Sequence, residues 1–420
     1  MKKMLFIFLI LCILPISLGF KIGDINHDDS IDISDVVYLF KHRDVPLEEG
    51  DINCDNSVDI ADVVYLFRNY DKFREPVVFA KNFQLEPHWD EGYCIVTDAD
   101  GKKFVILKEG AKNPNIPNAI VMKAPLKRVV TGDQILLGTA YVTKDNNVVD
   151  SIKAMFHLSS VAPKYKEEFP ILYERYKNGE VLDVGKWANP NYDVIVNVSP
   201  QIVFIYKFRY TEQTKEKLDE LGITYARTGA YWEDTFMGKT EWTKFFAAFY
   251  GDNDYKKVED YLQNTWKERN DILRKVYKIN NYPKVAIFYW SSTKGPYVWG
   301  AQNYRPKWVN MIKGEYIFND MPGTGGNYID KETFYERAMN ADVVILHTMG
   351  RNISTKEQLL KLNPDFANFK AFKTGRFYCM PPDNSKREVL DPAGIMLDYA
   401  KAIHPEVFGG DTKYLIKIEP

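Results

Sequence analysis

Apolar and polar positions alternate along most of the chain with a period that changes at identifiable points. From residue 126 onward, short apolar runs such as "KRVVTGD", "DQILLGTAYV", "SIKAMF" and "PQIVFIY" give way to polar helical stretches such as "TEQTKEKLDELG". A buried strand followed by an amphipathic helix is the signature of an α/β unit. Between Asp254 and Ile279, apolar residues recur at Val258, Tyr261, Leu262, Trp266, Ile272, Leu273, Val276 and Tyr277, with no Gly or Pro inside. That is one face of a continuous helix roughly 35–40 Å long. A second α/β set follows, with strands "KVAIFYW", "ADVVILHT" and "GRFYCMP". Ahead of all this, "YCIVTD", "KKFVILK" and "NAIVMK" alternate with period two. The pattern predicts an antiparallel lead-in (74–125), an α/β lobe (126–252), a linking helix (253–281) and a second α/β lobe (282–420), both lobes Rossmann-like.

The first 73 residues read differently. Residues 1–19 have a basic start (Lys2, Lys3), an apolar middle and small residues at Ser17 and Gly19, the layout of a secretory signal peptide. The other reading is an uncleaved N-terminal anchor that leaves the protein membrane-associated, although the apolar run is short for a spanning helix and Pro15 interrupts it. Then "GDINHDDSIDISDVVYLF" starts at Gly23 and a near copy, "GDINCDNSVDIADVVYLF", at Gly50. Counted from the first aspartate, positions 1, 3, 5, 9 and 12 carry side-chain oxygens: Asp24, Asn26, Asp28, Asp32 and Asp35, then Asp51, Asn53, Asp55, Asp59 and Asp62. Ser30 and Ser57 occupy position 7, where a backbone carbonyl serves. A hard cation needs six to eight oxygens, and this spacing wraps the chain around one Ca²⁺ per loop. Asp29 and Asn56 replace the usual Gly at position 6, and both tolerate a positive φ.

Composition narrows the function only slightly. A net charge of −2 with no basic block argues against nucleic acid as a partner. Beyond Cys12, the three cysteines Cys54, Cys94 and Cys379 have no metal-ligand spacing.

The doubled loop resembles a type I dockerin, a calcium-folded module that plugs secreted proteins into cohesin domains. The pattern D-x-N-x-D-x-x-x-D-x-x-D plus an apolar helix occurs twice within 20–73, a small all-α unit. It departs from the family at positions 10 and 11, where Ile33-Ser34 and Ile60-Ala61 stand in place of a Ser-Thr pair. The resemblance implies two Ca²⁺ and a cohesin-like partner. The chain from about 80 to 408 resembles the class III solute-binding proteins of ABC importers for iron–siderophore complexes and cobalamin. "LKRVVTGDQILLGTA", "DVGKWANPNYDVIVNVSPQIVFIY", "LDELGITYA", "MIKGEYIFND", "IDKETFYERAMNADVVIL" and "KAIHPEVF" carry it, in the family's order.

That resemblance implies a secreted or cell-surface binding protein rather than an enzyme, holding a metal chelate between stiff lobes and passing it to an importer permease. Candidate ligand-binding residues at strand ends are Trp187, Tyr206, Arg209, Tyr210, Tyr231 and Trp232 in the first lobe. In the second they are Trp290, Trp299, Tyr304, Tyr328, His347, Arg351 and Arg387. Aromatic faces suit a macrocycle or catecholate, and guanidinium groups suit an anionic chelate. Trp266 and Trp308, at helical spacing, read as packing. Asp193 and Glu332 match the positions at which the family presents a carboxylate to permease arginines. Two other readings use the same residues: a dockerin-borne secreted enzyme acting on polysaccharide, and a surface scaffold using the lobes for protein contacts. The enzyme reading lacks an acid–nucleophile pair in context and a Gly-x-Ser-x-Gly elbow.

Overall fold

The computed structural model describes residues 21–420 apart from 56, 349 and 382–385, so the predicted signal segment lies outside the described residues. At the N-terminal side stand the two predicted helices, Ile33–Lys41 and Ile60–Arg74, with a short turn of helix at Leu47–Gly50 between them. Asp32 and Asp59 cap the two long helices, and Asp35 and Asp62 reach back to the cap N–H groups. This reciprocal arrangement satisfies the donors that a helix start leaves open. Ile25, Val36, Leu39, Ile52, Val63, Leu66 and Phe73 form the small core between the helices.

The segment joining this module to the rest is held firmly. Glu241 accepts the backbone N–H groups of Val78, Phe79 and Ala80 at 2.7–2.8 Å, and Glu233 accepts those of Lys81 and Asn82 at 3.0 and 3.2 Å. Both glutamates are buried. A buried carboxylate is tolerated when N–H donors surround it, and here the donors are the linker itself.

The lead-in forms a four-stranded sheet, Gln84–His88, Tyr93–Thr97, Lys103–Leu107 and Ile120–Lys123. The first three strands are antiparallel as predicted, but the fourth pairs parallel to the third. The long return through residues 108–119 permits that direction, which a tight hairpin would forbid. Phe83, Leu85, Val96, Phe104 and Ile106 share one core with Trp242, Phe245 and Phe246, so the lead-in is part of the first lobe.

The first lobe's sheet runs Tyr225–Thr228, Ile202–Tyr206, Val129–Thr131, Ile152–Phe156, Leu182–Lys186 and Asn189–Pro190, parallel except for the last short strand. The doubly wound order reverses between Val129–Thr131 and Ile202–Tyr206. The linking helix spans Asp252–Val276, 25 residues, about 37 Å at 1.5 Å per residue.

The second lobe is mixed rather than Rossmann-like throughout. Lys284–Ser291, Val343–His347 and Phe377–Met380 are parallel. Gly295–Trp299 and Gly326–Tyr328 add antiparallel strands on one side, and Ile416–Ile418 adds one on the other. The short turn after Ser291 makes a hairpin, so no crossover helix can follow that strand directly.

Candidate functional site

Open α/β sheets bind ligands beyond the carboxyl ends of their strands, where strand order reverses. In the first lobe that point lies between Thr131 and Tyr206. Asp133, just past the first strand, is fully buried and caps the following helix through Ile135 N at 2.9 Å. Its Oδ1 also accepts the Tyr206 hydroxyl at 3.2 Å. Burial pushes the Asp133 carboxyl up from its ordinary range.

An aromatic chain leads outward from Tyr206. Phe208 lies 5.4 Å from it, and Tyr210 and Tyr231 lie 5.1 and 4.9 Å from Phe208. Tyr210, Tyr231 and Trp232 are each about half exposed, at 52 %, 49 % and 48 %. Trp232 is fixed by its N–H to the Lys207 carbonyl at 2.8 Å. Arg209 is exposed beside Tyr210, at a depression of about 340 Å³ that also includes Ala188 and Gln213. From the second lobe, Tyr297 packs edge-on to Tyr328 at 5.1 Å, and Tyr328 is 45 % exposed. The Tyr231 hydroxyl reaches to within 3.9 Å of where a side chain on Gly325 would begin, so the two rims meet there. Burial, with Tyr231 close by, pushes the Tyr297 hydroxyl up from its ordinary range.

Charged groups tie the lobes together. Lys239 donates to the Tyr304 hydroxyl at 3.0 Å, Tyr304 donates to Glu388 Oε2 at 2.8 Å, and Arg305 Nε donates to Glu388 Oε1 at 2.7 Å, with its Nη2 on the same carboxylate. Burial opposes ionisation of Glu388, but Arg305, His347 and Lys239 outweigh it and hold the carboxyl at about 2. Burial pushes Lys239 down to about 8. Nearby, Glu168 of the first lobe accepts Lys386 at 2.6 Å and Arg387 at 2.8 Å, with Glu168 and Lys386 both buried. Val389 lies against Gly138, and Leu390 joins the first lobe's core.

Several predicted ligand residues take other places. Trp290 is buried among Phe334, Phe366 and Tyr335, and Arg351 spans its carbonyl and Ser292. Trp299 and Tyr304 are buried, sandwiching the Arg305 guanidinium at 4.7 Å from each ring. His347 is buried, shares a hydrogen bond with the Tyr399 hydroxyl at 3.0 Å and meets the Trp299 ring at 4.8 Å. Trp187 is 9 % exposed and stacks on Phe156 at 4.0 Å, over Gly132, where any Cβ would overlap its ring. Arg387 is engaged by Glu168. In the second lobe, the hairpin strands, the Phe334–Phe366 cluster and the 386–391 segment cover strand ends that the sequence alone leaves open, whereas Trp187 is held by its own lobe between Phe156 and Tyr206. Trp266 stacks on Phe79 and Trp308 is a core residue, as expected from their helical spacing. Residues that the sequence reading passes over are Phe208, Tyr297, Arg305, Lys239 and Glu388. Phe208 had a signal in the aromatic alternation of "YKFRY".

Asp193 and Glu332 are both exposed in the first turns of helices Tyr192–Val198 and Lys331–Ala338.

In the N-terminal module, Asp51, Asp55 and Asp62 bring carboxylate oxygens within 4.8 Å of one another. Asp24, Asp35, Asp51 and Asp62 are buried. Burial, reinforced by neighbouring carboxylates, pushes Asp24 and Asp62 up. An all-oxygen set of crowded carboxylates fits a hard cation such as Ca²⁺. Asp29, at position 6 of the first loop, has φ 67°, the conformation the turn requires. The helix faces turned to solvent repeat position for position: Ile33, Val37, Tyr38 and Phe40, then Ile60, Val64, Tyr65 and Phe67.

Residues 157–384 match the periplasmic binding protein family. An uncharacterized lipoprotein of Methanocaldococcus jannaschii is 47% identical over 348 residues, covering 82% of this chain and 87% of its own length. A periplasmic heme-binding protein from Pseudomonas aeruginosa superposes with a TM-score of 0.52 at 14% identity, covering 69% of this chain and 97% of that one. CeuE of Helicobacter pylori, in a Ni-His complex, gives 0.54 at 16%, covering 75% and 90%. The chain belongs to the periplasmic binding protein family, in the two-lobed, helix-braced class III of solute-binding proteins. The family and these structural neighbours are binding proteins rather than enzymes. Among the described residues, no helix is long and apolar enough to cross a membrane.

Proposed function

We propose that this protein works outside the cytoplasm, capturing a metal chelate between its lobes and delivering it to the permease of an ABC importer. The observation that carries the reading is the facing aromatic rim, with Tyr210, Tyr231 and Trp232 on one lobe and Tyr297 and Tyr328 on the other. Half-exposed rings leading outward from a strand-order reversal offer flat surfaces for a macrocycle or catecholate. Arg209 and Lys294, whose Nζ lies 5.3 Å from the Tyr328 ring centre, add positive charge suited to an anionic chelate. Candidate cargoes are iron–siderophore complexes, heme and cobalamin. The heme-binding and CeuE neighbours share the fold and lend this list its order of testing.

In the same reading, Asp193 and Glu332 set register on the permease through exposed charge pairs, each contributing ~1 kcal/mol or less. The N-terminal module folds around two Ca²⁺ and attaches the protein to a cohesin-like surface partner through its repeated apolar helix face. The test is a fluorescence-quenching titration of full-length protein with hemin, ferric catecholate and hydroxamate siderophores, and cobalamin, followed by native mass spectrometry. Saturable binding of one class at one per chain supports the proposal. No binding of any, alongside tight binding of a protein partner by the lobes, would favour the scaffold reading.

A further inference from the structure

The two acidic loops are near copies in sequence, yet their first aspartates have different company. Asp24 is held by backbone N–H groups, those of Asp28 at 3.2 Å and Asp29 at 3.1 Å. Asp51 likewise accepts the Asp55 N–H on Oδ1 at 2.9 Å, and in addition its Oδ2 accepts Nε of Arg274, on the linking helix, at 2.7 Å. Arg274 also donates through Nη2 to the Asp51 carbonyl at 3.3 Å, and its Nη1 is steadied by Asp271 at 2.9 Å. The pair is shut away from water, with side chains 6 % and 0 % exposed. One positive charge of the body therefore sits in contact with one of the three crowded carboxylates of the second loop.

We propose that Arg274 is a resident counter-ion of the second loop, so that cation binding there and seating of the module on the linking helix oppose each other. This rests on the calcium reading above. The guanidinium neutralises Asp51 in the absence of a metal, which stabilises the empty loop and repels an arriving divalent ion. The same contact anchors the module. The first loop, whose leading aspartate is not in contact with Arg274, binds its ion without that opposition and is the weaker coupled of the two. A residue that merely supported the loop's shape would do the reverse, weakening calcium binding when removed.

The test uses full-length protein stripped of metal, with Ca²⁺ binding followed by calorimetry and seating followed by amide hydrogen exchange across residues 60–74. Wild type and Arg274→Met are compared directly, and again in an Asp24→Ala background that leaves the second loop alone. Arg274→Met is expected to bind Ca²⁺ at the second loop at least tenfold more tightly, while exchange in 60–74 speeds up at low calcium; Arg274→Lys should fall between. If Asp24→Ala unfolds the module, the two binding steps of the otherwise wild-type chain give the same comparison. Unchanged or weaker second-loop affinity in Arg274→Met overturns the inference alone. Wild type that binds no Ca²⁺ in either loop overturns the calcium reading and this inference together.

Discussion

His347 offers a sharp test of how tightly the second lobe is closed over its strand ends. Burial, with Arg305 behind it, pushes the imidazole down to about 3, against a weaker pull upward from Glu388. Between pH 3 and its ordinary value of about 6.5, the unfolded chain therefore binds a proton that the folded chain refuses. Folding stability must fall as pH is lowered through that window. At pH 5 an unfolded imidazole is about 97% protonated, and the linkage penalty is about 2 kcal/mol; at pH 7 it is about 0.2 kcal/mol. Replacing His347 by Gln keeps a partner for Tyr399 and removes the titration. All eight tryptophans lie between residues 89 and 308, so their fluorescence reports the body and not the N-terminal module. Urea unfolding of wild type and His347→Gln at pH 7 and pH 5 gives a double difference from which other titrating groups cancel. The expected value is about 2 kcal/mol, with wild type losing more on acidification. A double difference below about 0.5 kcal/mol would mean the imidazole is already charged or reached by water in the native state, and the packed floor described here would be wrong.

Four further outcomes are expected. Glu168→Gln leaves the buried Lys386 ammonium without its carboxylate and should cost about 3–5 kcal/mol in urea unfolding; a loss under 1 kcal/mol would show that the lobes are not pinned there. Trp187→Ala should destabilise the body by about 3–5 kcal/mol by opening a cavity beside Phe156. Tyr231→Ala, at a half-exposed ring, should leave the melting temperature within a degree or two yet weaken chelate binding at least tenfold, a split that a core role for Tyr231 would abolish. Removing calcium with a chelator should release amide protection in residues 33–41 and 60–74, and persistence of that protection would count against metal-dependent folding of the module.

Much of the architecture was legible because it is written in periods. The linking helix announced itself through apolar residues on one face only, and the strands through uniform apolar runs. Helix Phe236–Ala248 escaped notice because 12 of its 13 residues are buried, so it has no polar face to set against an apolar one. The site was less legible than the fold. In the sequence Trp290 and Tyr231 both stand at the ends of apolar runs, and only the later hairpin and the Phe334–Phe366 cluster decide that one is interior and the other is rim. Pairs such as Glu168–Lys386, 218 residues apart, leave no local trace. The doubled loops were readable because their geometry is confined to twelve residues each, whereas Arg274 reaches the second from 223 residues away.

The clasp of Glu233 and Glu241 on residues 78–82 makes the join between module and lobe a welded bracket instead of a tether. A pull on the module passes straight into the helix at the centre of the first lobe. An orientation imposed on the segment at residues 78–82 is thus passed on to the first lobe and the aromatic rim it carries.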